Sequence, residues 1–174
     1  MGFVVVTPSM AAPLEGPKRW AYLAREKTIR VASLNESGSI HLSSMWYVVR
    51  NETIYIPVDG PGEHAANFEA KRAITALVDS GDEYTTACSV RIEGTAAPVS
   101  DSALFEELQN LVFEKYFYPG HPYSDPYFQL GQTVGRKYYA LVPSEIVAVD
   151  MRETASPPAV ESHLLPKSAT DRRI

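Results

Sequence analysis

The sequence predicts a mainly β protein, an antiparallel barrel with few helices, and three observations carry that prediction. Short segments rich in β-branched and aromatic residues, bounded by turn chemistry, recur through residues 28–99 and again over 137–149. The longest of them, 83–99, has Gly94 inside it, as expected of a bulge or sharp bend in a strand that closes a barrel. Strands do not alternate with long amphipathic helices, so no βαβ framework for a parallel sheet appears. The 174 residues suit one domain, and a composition 45% hydrophobic and 21% charged provides a core to bury.

Residues 1–16 hold Pro8 and Pro13 and no period, and are expected to form an irregular N-terminal arm before a domain over 17–152. Pro17 suits the first turn of a helix that runs to Glu26, with Trp20, Leu23 and Ala24 on one face. A β-branched strand over 28–34 ends at Asn35, Glu36, Ser37 and Gly38, a turn in which glycine supplies positive φ. Residues 39–50 read as one long strand with both faces largely apolar, which places it in a barrel wall or an interface. A tight turn at Asn51 and Glu52 leads into a strand over 53–57, closing a hairpin. Beyond Gly60, Pro61 and Gly62 comes a short helix over 63–72, a strand over 73–78, a turn at 79–82 and the long strand 83–99.

Phe105, Leu108, Val112 and Tyr116 fall at helical spacing within 101–118. Residues 116–128 concentrate aromatics and three prolines and are expected to form a stiff loop. Two further strands follow over 137–142 and 144–149, and the polar segment 153–174 is expected to pack on a dimer.

Several function classes are excluded or disfavoured by residue content. A net charge of -5 has the wrong sign for a sequence-blind nucleic-acid binder. No stretch approaches the roughly 18 apolar residues that span a bilayer, and the apolar run 3–6 is too short for a signal h-region. Cys88 is the only cysteine, so no disulfide forms within the chain; a soluble, cytoplasmic protein is expected. His41, His64, His121 and His163 show no metal-binding spacing, and no metal site is expected. There is no GxSxG elbow and no strict GxGxxG, and the looser match at Gly60, Gly62 and Ala65 suits a hairpin exit better than a pyrophosphate cradle.

Five pieces in order, spanning 17–150, carry a resemblance: the amphipathic helix before RVASLNESGSIHLSSMWYVV, the hairpin into TIYIP, the helix and strand HAANFEAKRAITALV, the strand VRIEGTAAPV, and the final YYALVPSEIVAVD. Together they resemble the pyridoxamine 5'-phosphate oxidase-like split β-barrel family, and within it the branch that uses the deazaflavin coenzyme F420. The resemblance implies a six-stranded antiparallel split barrel with two or three short helices, working as a homodimer on a small-molecule substrate. In the FMN-binding branch an RxxxxK pattern on the second strand and an Arg-Lys pair at the small helix grip the cofactor phosphate. Here those places read His41 to Trp46 and Glu63-His64, a form similar to the deazaflavin branch, although the lysine usual at the helix start is His64.

By position, the resemblance puts Ser43, Ser44, Met45 and Trp46 beside the cofactor ring, with His41, His64 and Asn67 towards the phosphate. Arg30, Lys71, Arg72 and Arg91 are the basic candidates for its anionic tail. The implied activity is hydride transfer from reduced F420 to an activated C=C or C=N bond, the protein supplying binding and orientation. Tyr47, Tyr55, His121 and Tyr123 are the candidate proton donors. An unperturbed imidazole at position 64 would gain charge as pH falls from about 8 to about 6 and bind an anion more tightly. FMN is the alternative cofactor, and a non-catalytic flavin- or haem-binding module the alternative role.

Overall fold

The computed structural model describes residues 12–83 and 85–153. Helix α1 (Gly16–Arg25) opens with Pro17 in its first turn and buries Tyr22 and Leu23. Strands β2 (Ile29–Leu34) and β3 (Ile40–Met45) form an antiparallel hairpin, then β4 (Val48–Arg50) pairs with β5 (Thr53–Val58). Asn51 and Glu52 both have positive φ, 47° and 56°, the twist that a two-residue hairpin loop requires. Helix α2 (Glu63–Glu69) follows, then β6 (Ile74–Ser80) and β7 (Cys88–Pro98). Helices α3 (Ser102–Tyr116) and α4 (Ser124–Val134) precede the last strand, β8 (Lys137–Asp150). Before all of these, β1 (Ala12–Pro13) pairs with the end of β8, so the last residues of the expected arm are part of the sheet. Residues 1–11 and the C-terminal segment from 154 lie outside the described residues.

The sheet path runs β3-β2-β6-β7-β8-β5-β4, antiparallel throughout. Strands β3 and β4 are joined in the chain by two residues only, yet stand at opposite ends of that path. Trp46 and Tyr47 therefore bring the two ends together, and the sheet has to curl. No ladder pairs β3 with β4 among the described residues, so the barrel stays split at this seam.

Three sequence expectations are corrected here. The long strand over 39–50 is broken at Trp46-Tyr47, because the backbone there bonds a side chain instead of a strand. Tyr47 N–H donates to Tyr116 Oη at 2.9 Å, and the same oxygen lies 2.8 Å from Tyr47 O and 2.9 Å from Lys27 O. The strands expected at 137–142 and 144–149 are one strand, which brings the long strand segments to six. Pro143, which separates them in sequence, sits at a bulge where Glu93 faces Glu145 and Gly94 faces Pro143, leaving Ser144 as the extra residue. Only glycine fits opposite: a Cβ on Gly94 would lie 2.1 Å from Val142 O. Finally, the stiff loop expected over 116–128 gives way at Ser124 to α4. Pro126 falls in its first turn, where a missing N–H costs nothing, and Gly135, at φ +74°, ends the helix.

The barrel interior buries Leu23, Ile29, Val31, Ile56, Val78, Val90 and Ile92 with Tyr47, Phe68 and Tyr139. A second cluster under α3 buries Val48, Tyr55, Leu108, Val112, Phe117 and Tyr138, and Tyr127 and Phe128 of α4 pack against it. Asp101 caps α3 by accepting from Ala103 and Leu104 N–H at 2.8 and 3.1 Å, which orients the helix whose last residue, Tyr116, holds the seam.

Candidate functional site

The split leaves a groove of about 370 Å³ between β3, the β5–α2 loop and the start of α2. Strand alternation sends His41, Ser43 and Met45 to the inner side of β3 while Ile40 and Leu42 point outward. Ser44 and Trp46 also line the groove, Trp46 at the point where the strand breaks. Pro57, Val58 and Asp59 form a second wall, Gly62, Glu63 and His64 a third, and Tyr127 reaches in from α4. Trp46 is fixed by a parallel stack on Tyr116, 4.2 Å between centroids and 7° between planes. Tyr127 lies 5.1 Å from Trp46 and its ring covers the Arg136 guanidinium at 3.7 Å. The Arg136 side chain is 2% exposed and makes a two-point ion pair with Asp59, with Nη2 2.8 Å from Oδ2.

Behind the groove a chain of hydrogen bonds fixes one histidine tautomer. His64, buried at the start of α2, has Nδ1 3.0 Å from Ser33 Oγ and Nε2 2.6 Å from Ser43 Oγ. Asn67 Nδ2 donates to Ser33 Oγ at 2.9 Å and to Asn35 Oδ1 at 2.8 Å, while Asn67 Oδ1 accepts from Arg72 at 3.0 Å. The Ser33 hydroxyl, 1% exposed, thus needs an acceptor, and neutral His64 Nδ1 is the one in reach. Nε2 then carries the hydrogen and donates to Ser43 Oγ, which leaves the Ser43 O–H free to donate into the groove. Burial first, and His41 second, push the His64 imidazole down to about 4, so it is neutral at physiological pH. The gain of charge expected between pH 8 and pH 6 does not occur. His41, whose ring lies 4.4 Å from that of His64, has Nδ1 2.9 Å from Glu63 Oε2.

The structure brings six of the expected residues to the groove: His41, Ser43, Ser44, Met45, Trp46 and His64. Asn67 and Arg72 stand behind His64 as its support. Arg30 is outside, paired with Asp79, and Arg91 is paired with Glu93 and Glu145. Lys71 lines a depression beside Gly94 and Pro143. None of the four expected proton donors lines the groove. Tyr47 is fully buried and donates to Leu23 O at 2.6 Å; Tyr55 lies in the second core cluster. His121 and Tyr123 belong to an aromatic group near the start of α4. Asp59 and the supporting Ser33, Asn35 and Arg136 are not among the site residues expected from sequence, Glu63 enters there only beside His64, and Tyr127 only as part of the aromatic segment 116–128. No Arg or Lys lines the groove, and no cluster of three or more His, Cys, Asp or Glu is arranged for a metal, among the described residues. No helix among them is long and apolar enough to cross a membrane.

With this geometry in place, comparison gives the following. The sequence profile of the family described as pyridoxamine 5'-phosphate oxidase matches residues 17–140. Among solved structures, a conserved hypothetical protein from Mycobacterium tuberculosis is 20% identical, with TM-score 0.72 over 90% of this chain and 98% of that one. The haem storage protein HutZ from Vibrio cholerae is 17% identical, with TM-score 0.63 over 82% and 100%. An FAD-binding protein from Mycobacterium smegmatis is 17% identical, with TM-score 0.57 over 79% and 97%. At these identities the likeness is one of fold. No curated protein matches the sequence.

Proposed function

This chain belongs to the pyridoxamine 5'-phosphate oxidase family, and from that premise we propose that it is a homodimeric, cytoplasmic reductase of the deazaflavin type. It uses coenzyme F420 to reduce an activated C=C or C=N bond of a small organic substrate. The observation that carries the choice of cofactor is the charge of the groove. The places from which the FMN-binding branch would grip a phosphate hold His41, bound to Glu63, and Trp46, stacked on Tyr116. The carboxylates of Asp59 and Glu63 line the groove, and among the described residues no Arg or Lys is paired with either except the buried Arg136, which is taken by Asp59. A phosphate seated there would meet negative charge without compensation.

A flat heteroaromatic ring fits the same surface. Met45, Trp46, Tyr127 and Val58 supply apolar faces, and Ser43 supplies a hydroxyl whose hydrogen is directed outward by His64. When bound, the deazaflavin supplies the hydride chemistry. The chain's own contribution is orientation: the Trp46–Tyr116 stack sets one wall, and the Ser33–His64–Ser43 relay holds one donor in place without adding charge. The deazaflavin tail, anionic as well, would have to lie outside this lining, in which no residue is Arg or Lys. Leu34, Ile40 and Leu42, 41%, 71% and 65% exposed, are adjacent on the outer face of the β2–β3 hairpin and form the apolar surface for the second copy.

Fluorescence titration of the purified protein with F420, FMN and haem, each alone, tests the reading. Quenching by F420 with none by FMN is the expected result; binding of FMN or haem only would overturn the cofactor assignment. His64, with both ring nitrogens engaged, is not free to ligate iron, so haem bound through it would need the relay to open. Sedimentation at micromolar concentration is expected to give a dimer, and a stable monomer would remove the second copy from the site.

A further inference from the structure

Outside the groove, α1, β4 and α3 line a separate open cavity of about 470 Å³ that the proposed reduction does not use. Its walls are Ala24, Val48, Val49 and Leu111, and its charged lining is Arg25, Lys27, Lys115 and Glu114, three cations to one carboxylate. Lys115 is the unusual member. No ion pair holds its ammonium among the described residues. Its nitrogen lies over the Tyr47 ring at 3.6 Å and makes only a long 3.5 Å contact to Leu23 O, an oxygen that already accepts from Tyr47 Oη at 2.6 Å.

We infer that this cavity is a second ligand site, in which the Lys115 amine condenses reversibly with a small anionic carbonyl compound, its carboxylate or phosphate facing Lys27 and Arg25. The amine's lone pair attacks the carbonyl carbon while the C=O π pair moves to oxygen. Proton transfer from nitrogen to that oxygen and loss of water leave a C=N bond, with no change of oxidation state and no further reactant. Such a step needs a neutral amine near pH 7, which a lysine attains when it is desolvated beside another cation. Both conditions hold: burial first, and Lys27 second, push Lys115 down to about 7, against a smaller opposing pull from Glu26. The groups facing the amine are Lys27 after α1, whose ammonium donates to Lys115 O, the Arg25–Glu26 pair at the end of α1, Glu114 on α3, and the rings of Tyr47 and Tyr116. Arg25 is held by Glu26, whereas among the described residues no ion pair holds Lys27, so Lys27 is the anion partner.

The test treats the full chain with glyoxylate and cyanoborohydride at pH 7 and reads carboxymethylated lysines by peptide mass spectrometry. Lys115 is expected to be labelled about tenfold or more faster than the solvent-exposed Lys18, Lys71 or Lys137, since a desolvated amine gives up its proton more readily than a hydrated one. The rate should saturate with glyoxylate, and glyoxylate should be preferred over neutral propionaldehyde at this lysine but not at the others. Labelling of Lys115 no faster than of the other three would overturn the site, and equal preference for propionaldehyde would overturn its anionic ligand. The measurement is made on the native protein and so does not depend on a variant folding. Lys27→Met is expected to lower the preference for glyoxylate and, by removing the neighbouring cation, to slow labelling of Lys115 without abolishing it, since burial is the larger cause of its depressed amine.

Discussion

Between pH 6.5 and pH 4.5 the folded protein is expected to lose about 2 kcal/mol of stability through His64 alone. The sign follows from where the proton binds. In the unfolded chain the imidazole titrates at its ordinary 6.5, and in the folded chain it is pushed down to about 4 by burial and by His41. Above pH 6.5 both states are neutral and the contribution is complete. As pH falls below 6.5 the unfolded chain takes up a proton that the folded chain refuses, and stability declines until the folded imidazole titrates as well. The carboxylates held low by cations, Asp150 by Arg152 and Glu69 by Lys137, begin to lose their contribution as pH falls through the ordinary carboxylate range, at the bottom of this window, so it is the comparison with a variant that keeps both pairs that isolates the histidine. Urea unfolding at half-unit steps of pH, for the native protein and for His64→Gln, measures the difference. The variant is expected to be weaker at pH 7 by about 1 kcal/mol, because Ser33 and Ser43 lose a well-placed partner, and to show a flatter slope below pH 6.5. Equal slopes would mean that the His64 imidazole takes up its proton alike in the folded and unfolded chain, and the neutral Ser33–His64–Ser43 relay would not hold through this range.

The strands were legible because each is a local pattern: β2, β5 and β6 lie within two residues of where alternation and turn residues place them, whereas β7 starts at Cys88 and not at the expected Glu83. The features that were not legible depend on partners distant in sequence. Residues 39–50 contain no glycine or proline, and the break at Trp46-Tyr47 comes from the Tyr116 hydroxyl, 69 residues away, taking the Tyr47 backbone. Pro143 reads as the end of a strand until Gly94, on the neighbouring strand, is seen to face it across the bulge. In 116–128, Pro119, Pro122 and Pro126 read as breakers, but a proline in the first turn of a helix breaks nothing, and the helix lies mostly beyond the segment considered.

The groove divides in the same way. His41, Ser43 and Met45 reach it through the alternation of one strand, and His64 through the first turn of the next helix, so positional resemblance was enough to bring them together. Tyr47 does not reach the groove, because the strand break turns its ring into the barrel core, where its hydroxyl meets Leu23 O. Charge was harder to read. Arg30, Arg72 and Arg91 are cations in sequence, but Asp79, Asn67 and Glu93 occupy them in the fold, and Arg136, the cation nearest the groove, is neutralised by Asp59.

That last pair is the joint on which the aromatic wall of the groove depends, and Asp59→Ala is expected to cost about 3 kcal/mol. The Asp59 carboxylate is 41% exposed and would be hydrated easily on its own, whereas the Arg136 side chain, at 2%, has no water to turn to. The variant therefore strands a buried charge, and the penalty lies in that charge and not in the lost attraction. For a domain of this size the midpoint of thermal unfolding should fall by roughly 6–12 °C. Asp59→Asn keeps one acceptor for the guanidinium and should lose less. Arg136→Met removes the stranded charge, so the double variant with Asp59→Ala should be more stable than Asp59→Ala alone, a coupling that a double-mutant cycle reads directly. Gly131 makes room for the guanidinium, since a Cβ there would lie 2.7 Å from Arg136 Cζ; the site is built around this side chain and leaves a space that methionine fills only in part. Tyr127 rests on that guanidinium, so all three variants should weaken binding of the ring in the groove while the Trp46–Tyr116 stack stays intact. If Asp59→Ala melts within about 2 °C of the native protein and the double variant melts lower, the ion pair is not what holds α4 against the groove, and the wall must rest on the packing of Tyr127 and Phe128 against the second core cluster.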